Sequence, residues 1–162
     1  MDDLKPWLRA KQKEVDSALG RFLPRETAKP QTIHKAMRYS IFAGGKRLRP
    51  ILCLAAAEAC GGDINDALAP ACATEVMHTY SLVHDDLPSM DDDDLRRGRP
   101  TSHKVFGEGM AVLTGDALLT EVVAIMAQTP ANKRYGVKEY VEEIAVTGGS
   151  RKLIGGQVLD LE

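Results

Sequence analysis

Two stretches of this 162-residue sequence are apolar on almost every side. In residues 51–60, "ILCLAAAEAC", the only charge is Glu58, and in residues 110–127 the only charges are Asp116 and Glu121. Neither alternates apolar with polar residues, so both read as helices rather than half-buried strands. A helix that is apolar all round must be covered all round. The remaining sequence therefore has to supply further helices, and six in all would struggle to cover both. A second subunit or additional chain is expected to complete the burial.

The rest of the sequence agrees with an all-α fold. Leu4, Trp7, Leu8, Val15, Ala18, Leu19 and Phe22 recur at helical spacing in the opening segment. After the linker "LPRETAKPQT", Thr32 is placed to cap a second helix through Phe42, stopped by Gly44 and Gly45. Pro50 suits the first turn of a third helix, ended by Gly61 and Gly62. A fourth is expected from about Asp66 to His84, a fifth over 110–128 and a sixth from near Val137 to Gly148, with a helical tail. Strand alternation and internal repeats are absent from the pattern.

Composition narrows the function classes. The length suits one domain with a real core. A net charge of -2 gives no bulk attraction for nucleic acid. Cys53, Cys60 and Cys72 lie in apolar segments without CxxC spacing, which predicts reduced, buried thiols. The opening residues are too charged for a secretory or transit segment, and no uninterrupted apolar run spans a bilayer. The expectation is a cytoplasmic protein without a membrane span.

Charge is concentrated in "LVHDDLPSMDDDDLRRGRP", residues 82–100, with six aspartates followed by three arginines. One reading is a solvated turn between helices. The other is a metal–phosphate site, since clustered carboxylates repel unless a hard cation neutralises them. An EF-hand fails: counted from Asp91, Leu95 takes the fifth position and Arg96 sits where Gly is needed. Mg²⁺ fits better, because it takes one or two carboxylates and completes its shell with water and phosphate. Arg96, Arg97 and Arg99 are suited to those phosphates. On a helix, His78, Leu82 and Asp85 share one face, with Ser81 a turn below Asp85 and Tyr80 to its side. Pro88 ends that helix, so Asp91 is expected to return and face the first aspartate pair. His78 taken alone is equally compatible with a core or surface role.

A second basic cluster, "FAGGKRLRP", places Lys46, Arg47 and Arg49 between two helices, beside a helix N-terminus that favours anions. It lacks Walker A spacing. An exposed helix–helix turn and a phosphate site both remain open on these residues alone.

Together, "GGKRLRP", "HTYSLVHDDLPSMDDDDLRRGRPTSH", "FGEGMAVLTGDALL" and "GGQVLDL" resemble the trans-isoprenyl diphosphate synthases, in that family's order and spacing, from about residue 30 onward. The DDxxxxD form looks like the bacterial farnesyl and plant-type geranylgeranyl diphosphate synthases. The resemblance implies a helical bundle around a central cavity and a homodimer. It implies that isopentenyl diphosphate is condensed with an allylic diphosphate, with Mg²⁺ as cofactor. Asp85, Asp86 and Asp91 match the metal-holding aspartates, and Arg96 the allylic diphosphate ligand. Lys46, Arg49, His78 and Arg97 match the isopentenyl diphosphate site, and Gln157 and Asp160 the cavity-lining "GQxxD" element. Tyr80, followed by the small Ser81, matches the position that limits chain length and points to a farnesyl product.

The family's second aspartate-rich motif, DDxxD, and its Lys-Thr pair are absent from these residues. The expectation is the N-terminal part of a single all-α synthase domain, inactive alone. A non-catalytic prenyl-synthase-like subunit and a geranylgeranyl synthase are the alternatives. A head-to-head squalene- or phytoene-type synthase is disfavoured by "GGKRLRP" and the DDxxxxD spacing.

Overall fold

The computed structural model describes residues 4–162. Its elements are α1 (Leu4–Phe22), α2 (Gln31–Ile41), α3 (Leu48–Ala59), α4 (Ile64–Asp85), β1 (Leu95–Arg96), β2 (Arg99–Pro100), α5 (Ser102–Phe106), α6 (Glu108–Met126), α7 (Val137–Gly148) and α8 (Leu153–Leu161). The all-α reading holds, with one correction: β1 and β2 form a two-stranded antiparallel ribbon pairing Arg96 with Arg99. Its turn residues, Arg97 and Gly98, both have positive φ, 55° and 76°. That is the geometry which closes a tight hairpin.

Helix α4 is the hub. It packs on α1, α2, α3, α6 and α7, most extensively on α6. Its first half buries Ala67, Ala69, Ala71, Cys72 and Ala73, small side chains that admit close neighbours. At its other end Gly115 of α6 lies against the ring of His84, where any Cβ would overlap the imidazole. His84 also contacts the Val112 carbonyl oxygen through Nε2, at 3.0 Å. The core joins Val15 and Leu19 of α1, Ile41 of α2, Leu54 of α3, Val76 of α4, and Leu118, Val122 and Ile125 of α6.

Several boundaries and burial expectations are corrected. Asp63 caps α4, accepting from the Asn65 N–H at 2.8 Å, so the helix starts before Asp66. Pro30 occupies the N-cap of α2 with no side-chain cap, and Thr32 lies inside the first turn. Residues 1–3 of the expected first helix lie outside the described residues. Within α1 the apolar spacing covers more than the core uses, for Leu4 and Trp7 stay exposed. Cys60 is exposed rather than buried, and Cys53 is half-buried. Only Cys72 is fully enclosed, and burial pushes its thiol up to about 12.

The two apolar helices are not covered all round within this chain. Leu52 of α3 is 67% exposed and Leu113 of α6 is 55% exposed. The expectation that no segment could span a bilayer is also qualified. Helix α6 is long and apolar enough to do so by length and composition, yet it buries Ala111, Thr114, Leu118, Val122 and Ile125 in the core.

Core and outward faces should respond differently to truncation. Leu118→Ala empties a fully enclosed position and is expected to cost about 2–5 kcal/mol in chemical denaturation. Leu113→Ala should stay within about 0.5 kcal/mol. Equal losses would show that the Leu113 face is covered in solution.

Candidate diphosphate and metal site

The turn between α2 and α3 builds a cationic cleft. Gly45, at φ +133°, lets the backbone pass beneath the Arg97 guanidinium where a Cβ would collide. Arg97 donates to the Gly44 carbonyl oxygen from the far side. The cleft has a volume of about 480 Å³ and is lined by Lys46, Arg47, Arg49, Glu75, His78 and Arg97, among others. Four positions expected to share one site, Lys46, Arg49, His78 and Arg97, therefore meet. Lys46 and Arg49 make no hydrogen bond or ion pair among the described residues, so their charges are available to an anion. Burial, followed by the charge of Arg49, holds the His78 imidazole below its ordinary 6.5. His78 is therefore neutral at physiological pH, and either donates or accepts in the cleft.

Arg47 behaves differently from its neighbours. It adopts the left-handed conformation, φ 52° and ψ 34°, at the N-cap of α3. Its guanidinium is buried and donates to Asp16 of α1, Glu75 of α4 and the Ile41 carbonyl oxygen, each at 2.8 Å. Burial opposes the charge, but Glu75 and then Asp16 hold it above its ordinary value. Sequence reasoning grouped Arg47 with the exposed cations and gave it no separate role. Its partners, Asp16 and Glu75, lie 31 and 28 residues away, and no local pattern announced them.

The ribbon then divides the arginine pair. Arg96 turns back to α4 and binds Asp86, with a 2.9 Å bond from Nε, and Asp93 at 2.9 Å. Arg97, next in the chain, reaches the opposite cleft. Thr101 anchors the ribbon through its hydroxyl, which donates to the Asp93 carbonyl oxygen at 2.8 Å.

At the end of α4 the chain doubles back as expected. The Asp91 N–H donates to the Asp85 carbonyl oxygen at 2.8 Å, and the Asp91 charge acts on the Asp85 carboxyl. From α8, the Gln157 amide donates to Asp85 at 2.5 Å, and Asp160 adds a further negative charge. Burial pushes the Asp85 carboxyl up against the Gln157 hydrogen bond, and Asp91 and Asp160 push the same way. Burial also raises Asp86, partly offset by Arg96.

Asp85 and Asp91 suit a hard cation, since both are carboxylates on facing segments whose mutual repulsion a cation would relieve. The expected triad is not gathered, however. No group of three metal-ligating side chains is assembled among the described residues, and Asp86 is held by Arg96 instead. Tyr80 and Ser81 are buried and line none of the clefts described here. Ser81 donates to the His78 carbonyl oxygen. The Tyr80 ring meets His84 edge-on at 6.0 Å, and its hydroxyl has no hydrogen-bond partner among the described residues.

A family model described as polyprenyl synthetase matches residues 30–162. The chain belongs to the polyprenyl synthetase family. It is 48% identical to geranylgeranyl pyrophosphate synthase 4 of Arabidopsis thaliana, over 98% of this chain and 42% of that protein. Against the chloroplastic geranylgeranyl pyrophosphate synthase of Capsicum annuum it is 52% identical, over 82% of this chain and 36% of the relative. Among solved structures, an FPP/GFPP synthase from Zymomonas mobilis superimposes with a TM-score of 0.91 at 38% identity, covering 98% of this chain and 57% of that one. A geranyltransferase from Legionella pneumophila gives 0.91 at 34% identity, over 98% and 56%. The chain thus spans less than half the length of the curated relatives it matches.

Within this polyprenyl synthetase fold, His78 has a pH signature. A histidine whose folded value is depressed contributes stability above its ordinary 6.5, lost as pH falls through the lower folded value. The thermal midpoint should therefore decline as pH drops below 6.5, and His78→Gln should flatten that part of the profile. An unchanged profile in the variant would remove His78 as its source.

Proposed function

We propose that these residues supply one wall of a prenyltransferase site that condenses isopentenyl diphosphate with an allylic diphosphate. The observation carrying this reading is the cleft in which Lys46, Arg49, His78 and Arg97 meet, on the same helix α4 that ends at Asp85. The Lys46 and Arg49 side chains, without partners among the described residues, suit a doubly phosphorylated anion.

The parts divide the work. Lys46, Arg49 and Arg97 clamp the diphosphate of the non-ionising substrate, leaving its double bond free to attack. Asp85 and Asp91 would hold Mg²⁺, which when bound supplies positive charge to the departing allylic diphosphate. Arg96 takes the same leaving group once Asp86 has another cation to face. Asp86 then joins the metal side. Gln157 orients Asp85 and keeps its carboxylate oxygen turned inward. Leu82 and Val83, which line the pocket beside Asp86 and Arg96, keep water from the allylic cation.

We assign a farnesyl product on the bulk of Tyr80 beneath the aspartates. A geranylgeranyl product is the second reading, favoured by the names of the sequence relatives. A homodimer is proposed because the outward faces of α3 and α6 remain apolar, with Leu52 and Leu113 exposed. A reducing cytoplasmic setting is proposed on the three free thiols. A non-catalytic subunit is disfavoured by the unspent cations of the cleft.

The test is turnover of isopentenyl and allylic diphosphates by this chain assembled with a second half bearing DDxxD. Asp85→Asn should lower kcat/KM by about 100- to 1,000-fold. Lys46→Ala should act mainly on KM for isopentenyl diphosphate. Chromatography of the products decides length: Tyr80→Ala should extend the chain, and an unchanged product would remove Tyr80 as the floor. Turnover by the 162-residue chain alone would sink the one-wall reading.

A further inference from the structure

Asp16, Gln12 and Glu75 belong to none of the motifs that mark the diphosphate site, yet all three converge on its turn. Gln12 donates to the Gly45 carbonyl oxygen at 2.8 Å, and Asp16, one helical turn later, receives the Arg47 guanidinium. Both sit on α1, which lies outside the 30–162 stretch matched by the family model. Glu75 lines the cleft itself. An ionised carboxylate there would repel a diphosphate, and Arg47, lying against it at 2.8 Å, offsets that charge in part.

The backbone adds a second constraint. Arg47 stands between Lys46 and Arg49 with positive φ, an arrangement that costs a non-glycine residue energy which its side-chain contacts must offset. Its three hydrogen bonds do the holding, and they set the direction in which the turn presents its neighbours. We propose that Arg47 is a positioning residue of the diphosphate cleft, held by Asp16 and Glu75: it masks Glu75 and fixes the turn that presents Lys46 and Arg49. Helix α1 belongs to the same machinery through Asp16 and Gln12. This rests on the reading of the cleft as a diphosphate site.

The ordinary role of such a group is to hold helices together, which would affect stability alone. Affinity separates the two roles. Calorimetric titration of the chain with inorganic diphosphate, without divalent cations and well below each protein's unfolding midpoint, reads the cleft directly. Asp16→Asn is expected to weaken binding by about tenfold, and Asp16→Glu, which restores the carboxylate, to stay within about threefold of the parent. Gln12→Ala, a change to a half-buried side chain, should weaken binding by about threefold and takes over as the deciding variant if Asp16→Asn does not fold. Parental affinity in a folded Asp16→Asn or Gln12→Ala protein overturns the positioning role and leaves the cleft assignment standing. Absence of diphosphate binding by the parent overturns both.

Discussion

The buried guanidinium of Arg47 is the constraint on which the site's geometry depends. Removing a charge from water is costly, and the cost is offset where each guanidinium nitrogen meets an acceptor. Here Asp16, Glu75 and the Ile41 carbonyl supply those acceptors from α1, α4 and the end of α2. Three helices are thereby registered against one turn. Substituting that turn's central cation would leave Glu75 buried without a counter-ion, a larger penalty than the pair's own net contribution.

The same economy of partners explains the charge pattern around the site. Acidic and basic residues are numerous there, and several are spent on one another. Arg47 is satisfied by carboxylates, Arg96 by Asp86 and Asp93, and Lys104 by Asp94. Lys46 and Arg49 are left facing solvent across the cleft. On the other side the charges of Asp91 and Asp160 bear on Asp85, which takes a hydrogen bond from Gln157 and feels the charge of Arg96. One region thus carries an excess of cations and its neighbour an excess of carboxylates. A metal diphosphate carries both complements.

Much of this was legible from residue order. Every helix but the short α5, the Gly44–Gly45 stop, the end of α4 near Pro88 and the return of Asp91 follow from spacing and from backbone chemistry that acts within a few residues. The hairpin at 95–100 was not legible, because two-residue strands leave no alternation to detect, although Arg97–Gly98 is a turn pair in retrospect. Thr32 was a reasonable cap by type, but Pro30 already begins the helix. Cys60 sat in an apolar run whose outer side proved to be uncovered.

The carboxylates, cations and their spacing are properties of the chain; alone they left a charged turn and a metal–phosphate site both open, and the order of the flanking motifs resolved them into a family resemblance. Which cations stay free is not such a property. Lys46, Arg47 and Arg49 are near neighbours of similar chemistry, as are Arg96 and Arg97. What separates them is the direction each side chain takes and the carboxylate it meets there. Those carboxylates arrive from helices distant in sequence, and an ion pair acts through space, so the division of roles came into being when α1, α4 and the ribbon were packed together.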